Sequence, residues 1–275
     1  MTTDSLGVRP SRPVTGAAIR ELILDQAHRA HVGHIASALS VADLVAVLFD
    51  QVLRIPAVTD PERDRLILSK GHAALALYAA LYVRGTLDQA QLNTYCTGTT
   101  LLGVHPEKDL TGVDFSTGSL GHGLSIGAGV AYAARLDNST RRVFVLMSDA
   151  ECNEGSVWEA AAFAAHHRLA GLVGIVDLNG QQALGFTQDV LDMSNMEQRW
   201  QAFGWQTHTV DGHDPEQLEL VLRTVRSAEN GPNIVIARTT AGKGVSFMER
   251  QIKWHYLPMS EEEYRRALSE VSPSR

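Results

Sequence analysis

Two short polar clusters carry the strongest chemical signal in the chain. Ser148-Asp-Ala-Glu-Cys-Asn-Glu-Gly155 follows an apolar run and precedes a helical pattern, and Asp177-Leu-Asn-Gly180 closes the next apolar run. Asp149 and Asn179 are therefore expected at the ends of neighbouring strands. A carboxylate and an amide oxygen placed there, with the backbone carbonyl of Gln181 just beyond, suit Mg²⁺, a hard ion that takes oxygen ligands octahedrally and shares its shell with water and phosphates. The same residues also have ordinary uses, Asp149 as a helix cap and Asn179 as a turn former. Among the histidines, His72 follows Lys70-Gly71 at a strand-to-helix turn, where it either caps the helix or donates to an anion.

These groups need a scaffold, and the apolar spacing supplies one. Ala18, Ile19, Leu22, Ile23 and Ala27 recur at helical spacing and predict a first helix ending near His28–His34. A second helix is expected over Ser40 to Leu53 with Asp43 exposed, a short strand over Arg65 to Ser69, and a buried helix from Ala73 to Arg84. Leu101 to Leu120 has no period and reads as a long loop before a small-residue helix from Gly121 to Arg135. Beyond Arg142 the units alternate: strand Val143 to Met147, helix Glu154 to His167, strand Leu172 to Asp177, strand Trp205 to Val210, helix Pro215 to Ala228, strand Asn233 to Ala237. Near-continuous Val, Ile and Leu strands between helices predict an α/β fold, a parallel sheet with helices on both faces. Ligands on such sheets sit at the carboxyl ends of the strands, where the polar clusters fall.

Composition narrows the function. The chain has 275 residues, a net charge of −7 and 44% hydrophobic residues, enough for a sizeable core. An acidic protein is poorly suited to nucleic acid or an anionic membrane, so any anionic ligand must be held locally. The longest apolar run, Ala73 to Val83, is far short of the ~20 residues that span a bilayer. Met1 to Pro13 is polar and reads as a mobile leader, which leaves 14–275 as one domain. Two cysteines, Cys96 and Cys152, exclude a disulfide framework and favour the cytoplasm.

The separation of Asp149 and Asn179, the run Glu154-Gly-Ser-Val-Trp-Glu-Ala160 and Phe163-Ala-Ala-His-His-Arg-Leu169 resemble the thiamine diphosphate motif of transketolases. Gly33-His34, Leu68-Ser-Lys-Gly-His72, Gly103-Val-His-Pro-Glu107, Thr117-Gly-Ser-Leu-Gly-His-Gly123, Val210-Asp-Gly-His-Asp214 and Thr240-Ala-Gly-Lys-Gly-Val-Ser-Phe-Met248 follow in that family's order. The resemblance implies a thiamine diphosphate-binding fold in which Asp149, Asn179 and the Gln181 carbonyl hold Mg²⁺. It implies that His72 and His255 contact the diphosphate, with Gly121, Gly123 and Ala150 beside the cofactor. His34 and His105 match histidines that move protons on the substrate, and Glu154 matches a buried carboxylate linking active sites across the subunit interface. Glu159, ~140° further round an ideal helix, cannot point into the same site. His28, His31, His166 and His167 have no such match and read as surface or packing residues.

The match covers only the diphosphate-binding part of a full-length transketolase, so the chain resembles the N-terminal subunit of a split enzyme. A C-terminal partner must then bring the pyrimidine-binding domain, in a heterotetramer with two copies of each subunit. The implied reaction passes a two-carbon ketol unit from a ketose to an aldehyde acceptor, on small sugar or keto substrates. Two positions depart from the family: Ala150 stands where Gly is usual, and His122 where Gln is usual. Alanine at 150 is harmless if its φ is negative and costs ~1 kcal/mol or more if φ is positive. The rival readings are a catalytically degenerate partner subunit, an NAD-dependent oxidoreductase and a zinc hydrolase. Gly121, Gly123 and Gly127 miss the G-x-G-x-x-G spacing by one residue, and there is no H-E-x-x-H.

Overall fold

The computed structural model describes residues 13–225 and 231–272. The expected leader, up to residue 12, and the end of the helix expected to reach Ala228 lie outside the described residues. Five parallel strands form the central sheet: β1 (Arg65–Leu68), β2 (Val143–Ser148), β3 (Leu172–Leu178), β6 (Gln206–Asp211) and β7 (Asn233–Arg238), in the order β1-β2-β3-β7-β6. A two-stranded antiparallel hairpin, β4 (Gln181–Gln182) and β5 (Gly185–Phe186), rises just beyond β3. The parallel register aligns Leu68 with Leu146 and Ser148 with Asp177. The segments that follow β1, β2, β3 and β7 therefore leave the sheet along one edge.

Both faces of the sheet are covered, as the continuous apolar strands require. On one face Phe144, Leu146, Ile175 and Val235 pack against helices α1 (Gly16–Ala30), α2 (Ile35–Ser40), α3 (Ala42–Val47) and α4 (Ala74–Val83). The alternate residues Val143, Val145, Met147, Val176 and Ile234 pack on the other face, against α6 (His122–Leu136), α7 (Gly155–His166) and α9 (Met196–Ala202). Each such buried side chain contributes about 1.5–3 kcal/mol of transfer free energy. Short helices α5 (Gln89–Leu92), α8 (Thr187–Val190) and α11 (Lys253–Tyr256), with α10 (Pro215–Thr224) and α12 (Glu261–Val271), complete the chain.

The stretch expected as one helix from Ser40 to Leu53 is broken. α2 starts earlier, at Ile35, the chain bends at Val41 (φ −100°, ψ 6°), and after α3 a single wider turn runs over Leu48–Val52. Ser40, the last residue of α2, donates its hydroxyl 2.8 Å to the Asp177 carboxylate at the sheet edge. Asp43, expected in solvent, is buried, because Arg20 and His213 both pair with it. α9 and α12 carry no expectation from the apolar pattern, yet the Ser260 and Glu263 side chains form a reciprocal cap at the start of α12.

Candidate functional site

A cavity of about 330 Å³ opens where the strand ends converge. Its walls include His34, His72, His105, Ala150, Glu154, Asn179, Gln181 and His255, drawn from segments more than two hundred residues apart in sequence. Close packing brings the histidines together. Gly33 admits the backbone carbonyl of Tyr256, which a Cβ at residue 33 would strike, and so lets α11 dock beside α2. The His34, His72 and His255 rings then form a triangle with centroids 5.2 to 5.5 Å apart. His255 is thereby placed on the cavity wall. His34 itself takes a left-handed backbone conformation (φ 60°, ψ 19°), sparsely populated for a side chain with a Cβ.

The electrostatics are those of a site with few mobile charges. Burial lowers the pKa of all three rings: His72 is held well below its usual value, with Lys70 adding to the effect, and His255 falls to about 4. The rings are neutral donors and acceptors near pH 7. The one lysine, Lys70, is completely buried and paired with Asp177, which also accepts from Ser40, from Thr239 and, at 2.9 Å, from the Asn179 amide. Asp149 lies directly behind the cavity wall, fully buried. Its carboxyl is pushed up to about 7, first by desolvation and then by the neighbouring Asp177, although the Gly180 and Ala150 N–H groups donate to it at 2.7 and 2.8 Å. Among the described residues no three His, Cys, Asp or Glu side chains gather as a metal cage. A metal here would take one carboxylate, the Asn179 amide oxygen and a backbone carbonyl.

Five buried side-chain polar atoms lack a hydrogen-bond partner among the described residues, and four belong to residues lining this cavity: His34 Nδ1, Asn153 Oδ1, Gln181 Nε2 and Gln182 Nε2. An unpaired buried group costs about 1–3 kcal/mol, so their convergence marks a place shaped for a polar ligand. Ala150 begins a 3-10 turn and is absent from the left-handed residues, so alanine in place of glycine introduces no backbone strain.

The structure does not bring every expected residue to the cavity. Gly121 and Gly123 lie beside it, and their N–H groups are already used. Gly121 (φ 85°) donates 2.9 Å to Glu151, and Gly123 donates 3.2 Å to the Ser69 hydroxyl. His122 is exposed. Glu154, expected to be buried against a neighbouring subunit, is exposed in this single chain on the cavity rim at the start of α7. A second carboxylate of that turn, Glu151, is buried within the chain itself and carries no expectation from the sequence. It accepts from Ser69, from Gly121 and, at 3.3 Å, from the Ser148 N–H, while its own N–H donates 3.0 Å to the Ser148 hydroxyl. Glu151 thus joins the ends of β1 and β2 to the start of α6, and its Ser-x-x-Glu reciprocity with Ser148 is a capping-box signal legible in sequence. Lys70 and Asp177 were missed too, because a pair buried between elements leaves no local pattern. Of the other histidines, His28 stacks on Tyr264 at 4.2 Å and His166 and His167 sit on the outer side of α7.

Residues 13–271 match the family described as "Transketolase, thiamine diphosphate binding domain". The chain is 36% identical to the 6-deoxy-6-sulfo-D-fructose transketolase subunit of Clostridium sp. (strain MSTE9), covering 92% of this chain and 93% of that protein. It is also 36% identical to an apulose-4-phosphate transketolase subunit of Phocaeicola vulgatus, covering 92% and 91% respectively. The fold superposes on transketolase from Campylobacter jejuni with a TM-score of 0.87 at 29% identity, over 94% of this chain and 42% of the other. This chain therefore spans about two fifths of that solved transketolase and nearly all of the two bacterial subunits. The chain belongs to the transketolase family and corresponds to its thiamine diphosphate-binding domain.

Proposed function

We propose that this protein is the N-terminal subunit of a two-component transketolase, which passes a two-carbon ketol unit from a ketose to an aldehyde and acts only with a second subunit carrying the pyrimidine-binding domain. The observation that carries this reading is the set of unpaired polar atoms around one cavity at the strand ends. The residues fit thiamine diphosphate and Mg²⁺. Asp149 is a buried carboxylate without a cation of its own, and Ala150 lies unstrained beside it. Asp149, Asn179 and the Gln181 carbonyl would hold Mg²⁺, and His72 and His255 would donate to the diphosphate. The bound cofactor supplies the carbon nucleophile for breaking and remaking a carbon–carbon bond.

This chain's own residues then bind, orient and move protons. His34 and His105 on the cavity wall accept and return protons at the sugar hydroxyls, a role suited to an imidazole near neutral pH. Glu154 on the rim is placed to reach a neighbouring subunit. A partner also has surface to cover: Leu184 is 80% exposed and Tyr256 51% exposed, next in sequence to the cavity-lining Ala183 and His255, and Phe163 on α7 is 41% exposed. The assembly we infer contains two copies of each subunit, with α6 and α7 at contacts between them, in the cytoplasm. No described helix is long and apolar enough to cross a membrane.

Mixing tests this reading. The purified chain with thiamine diphosphate and Mg²⁺ should transfer no ketol units, and addition of a second subunit bearing the pyrimidine-binding domain should restore turnover at ~1 s⁻¹ or faster. Comparable turnover by the single chain would overturn the two-component reading.

A further inference from the structure

We infer that the side-chain amides of Gln181 and Gln182 donate hydrogen bonds to the diphosphate of the ligand held in this cavity, an inference that rests on the thiamine diphosphate reading. These amides are distinct from the Gln181 backbone carbonyl assigned to the metal. Both Nε2 atoms are buried and unpaired, and both residues line the cavity. Gln181 as a whole is only 8% exposed.

The backbone beneath the two amides is fixed. Gln181 donates its N–H 2.9 Å to Asn179 Oδ1 and pairs in register with Phe186, and Gln182 pairs with Gly185. The next residue, Ala183, accepts from the Tyr256 hydroxyl of α11, the helix that carries His255. Hairpin and histidine wall are thus tied into one piece, and the two glutamines stand on an ordered strand in the cavity wall.

Charge explains why amides serve at this place. An anion in a protein of net charge −7 needs donors, yet the cavity offers little free positive charge. Lys70 is committed to Asp177, and His34, His72 and His255 are each pushed toward the neutral form by burial. With cationic side chains withheld, the oxygens that Mg²⁺ does not take must be met by uncharged N–H groups. A primary amide supplies these without adding a charge that would itself have to be desolvated.

Calorimetric titration of the full chain with inorganic diphosphate in the presence of Mg²⁺ tests this, beside the melting temperature of the ligand-free protein. Gln182→Leu should weaken diphosphate about tenfold while melting at or above the wild-type temperature, because the substitution removes an unpaired buried amide. Gln182→Glu should weaken it further by setting a carboxylate against the anion, and Gln181→Leu should behave like Gln182→Leu. An amide that merely supports the fold would produce the reverse, a lowered melting temperature with unchanged affinity, and that result overturns the inference. So does a loss seen with thiamine diphosphate but absent with inorganic diphosphate, which would move the amides to another part of the ligand. Asp149→Ala separates the two levels of the argument. If it abolishes binding while the Gln variants bind as wild type, this inference alone fails; if the wild-type chain binds no Mg²⁺–diphosphate, the reading of the cavity fails with it.

Discussion

His105 and His72 line the same cavity, yet their surroundings separate them. His72 sits in the triangle with His34 and His255, where burial and Lys70 keep it neutral. His105 lies outside that triangle but lines the same cavity, with the Gly118 position packed against its ring and its carbonyl accepting 3.0 Å from the Tyr78 hydroxyl. The role proposed for it is with the substrate, and for His72 with the diphosphate. His105→Ala should leave the affinity for thiamine diphosphate intact and lower turnover of the two-component enzyme ~10²-fold or more, as loss of a proton-transfer group does. Equal losses in calorimetric affinity and in turnover would instead place His105 against the cofactor.

Among the helices and strands, the site depends on how α6 meets the sheet. A Cβ on Gly123 would collide with the Ser69 hydroxyl and the Cβ behind it, and one on Gly121 would lie 2.6 Å from the Glu154 Cβ. These glycines serve the approach of a helix to a strand end, and Glu151 locks that approach with its three accepted hydrogen bonds. Gly123→Ala should therefore destabilise the chain by about 1–3 kcal/mol through overpacking, a fall of roughly 2–4 °C in Tm per kcal/mol for a protein near this size. Gly129 on the same helix has nothing within 4 Å of a built Cβ. Gly129→Ala should be neutral or stabilise by about 0.5–1 kcal/mol. Thermal melts of the two variants side by side check the contrast, and an unchanged Tm for Gly123→Ala would mean that α6 has slack at its start.

Across the folded chain, a site of buried neutral imidazoles ties stability to pH. His255 has a folded-state pKa of about 4, whereas the unfolded chain binds that proton near its ordinary value of ~6.5. Between those values the unfolded state holds more protons, so this group's stabilising effect is complete above pH ~6.5 and is lost as pH falls toward 4. Asp149 acts in the opposite sense: its carboxyl, raised to about 7, keeps a proton that the unfolded chain releases, so its contribution declines as pH rises to 7. The His255 effect is therefore read as a difference. Ligand-free His255→Asn should gain Tm relative to wild type by several degrees as pH drops from 6.5 to 4, with a flat difference above pH 7. A difference that is constant across the whole range would show that His255 is not buried in the free chain.

The features legible in the amino-acid order are those with local signals. The continuous apolar runs located β1, β2, β3, β6 and β7 to within a residue or two, and parallel strands place their ends on one edge, which predicts Asp149, Asn179 and Gln181 as neighbours before any distance is known. Motif order extended this to His34, His72, His105 and His255, all of which line the cavity. Properties that arise between elements had to wait for the packed chain. Burial of Asp43 depends on Arg20 and His213 arriving from α1 and from the turn after β6, and the Lys70–Asp177 pair joins residues 107 positions apart. The sequence did not single out Glu151, because only the 3-10 turn over Ala150–Asn153 turns it inward between the ends of β1 and β2 and leaves Glu154 on the rim. Nor could it reveal that the Gln181 and Gln182 amides lack partners, because an unsatisfied hydrogen bond exists only once every neighbour has been placed.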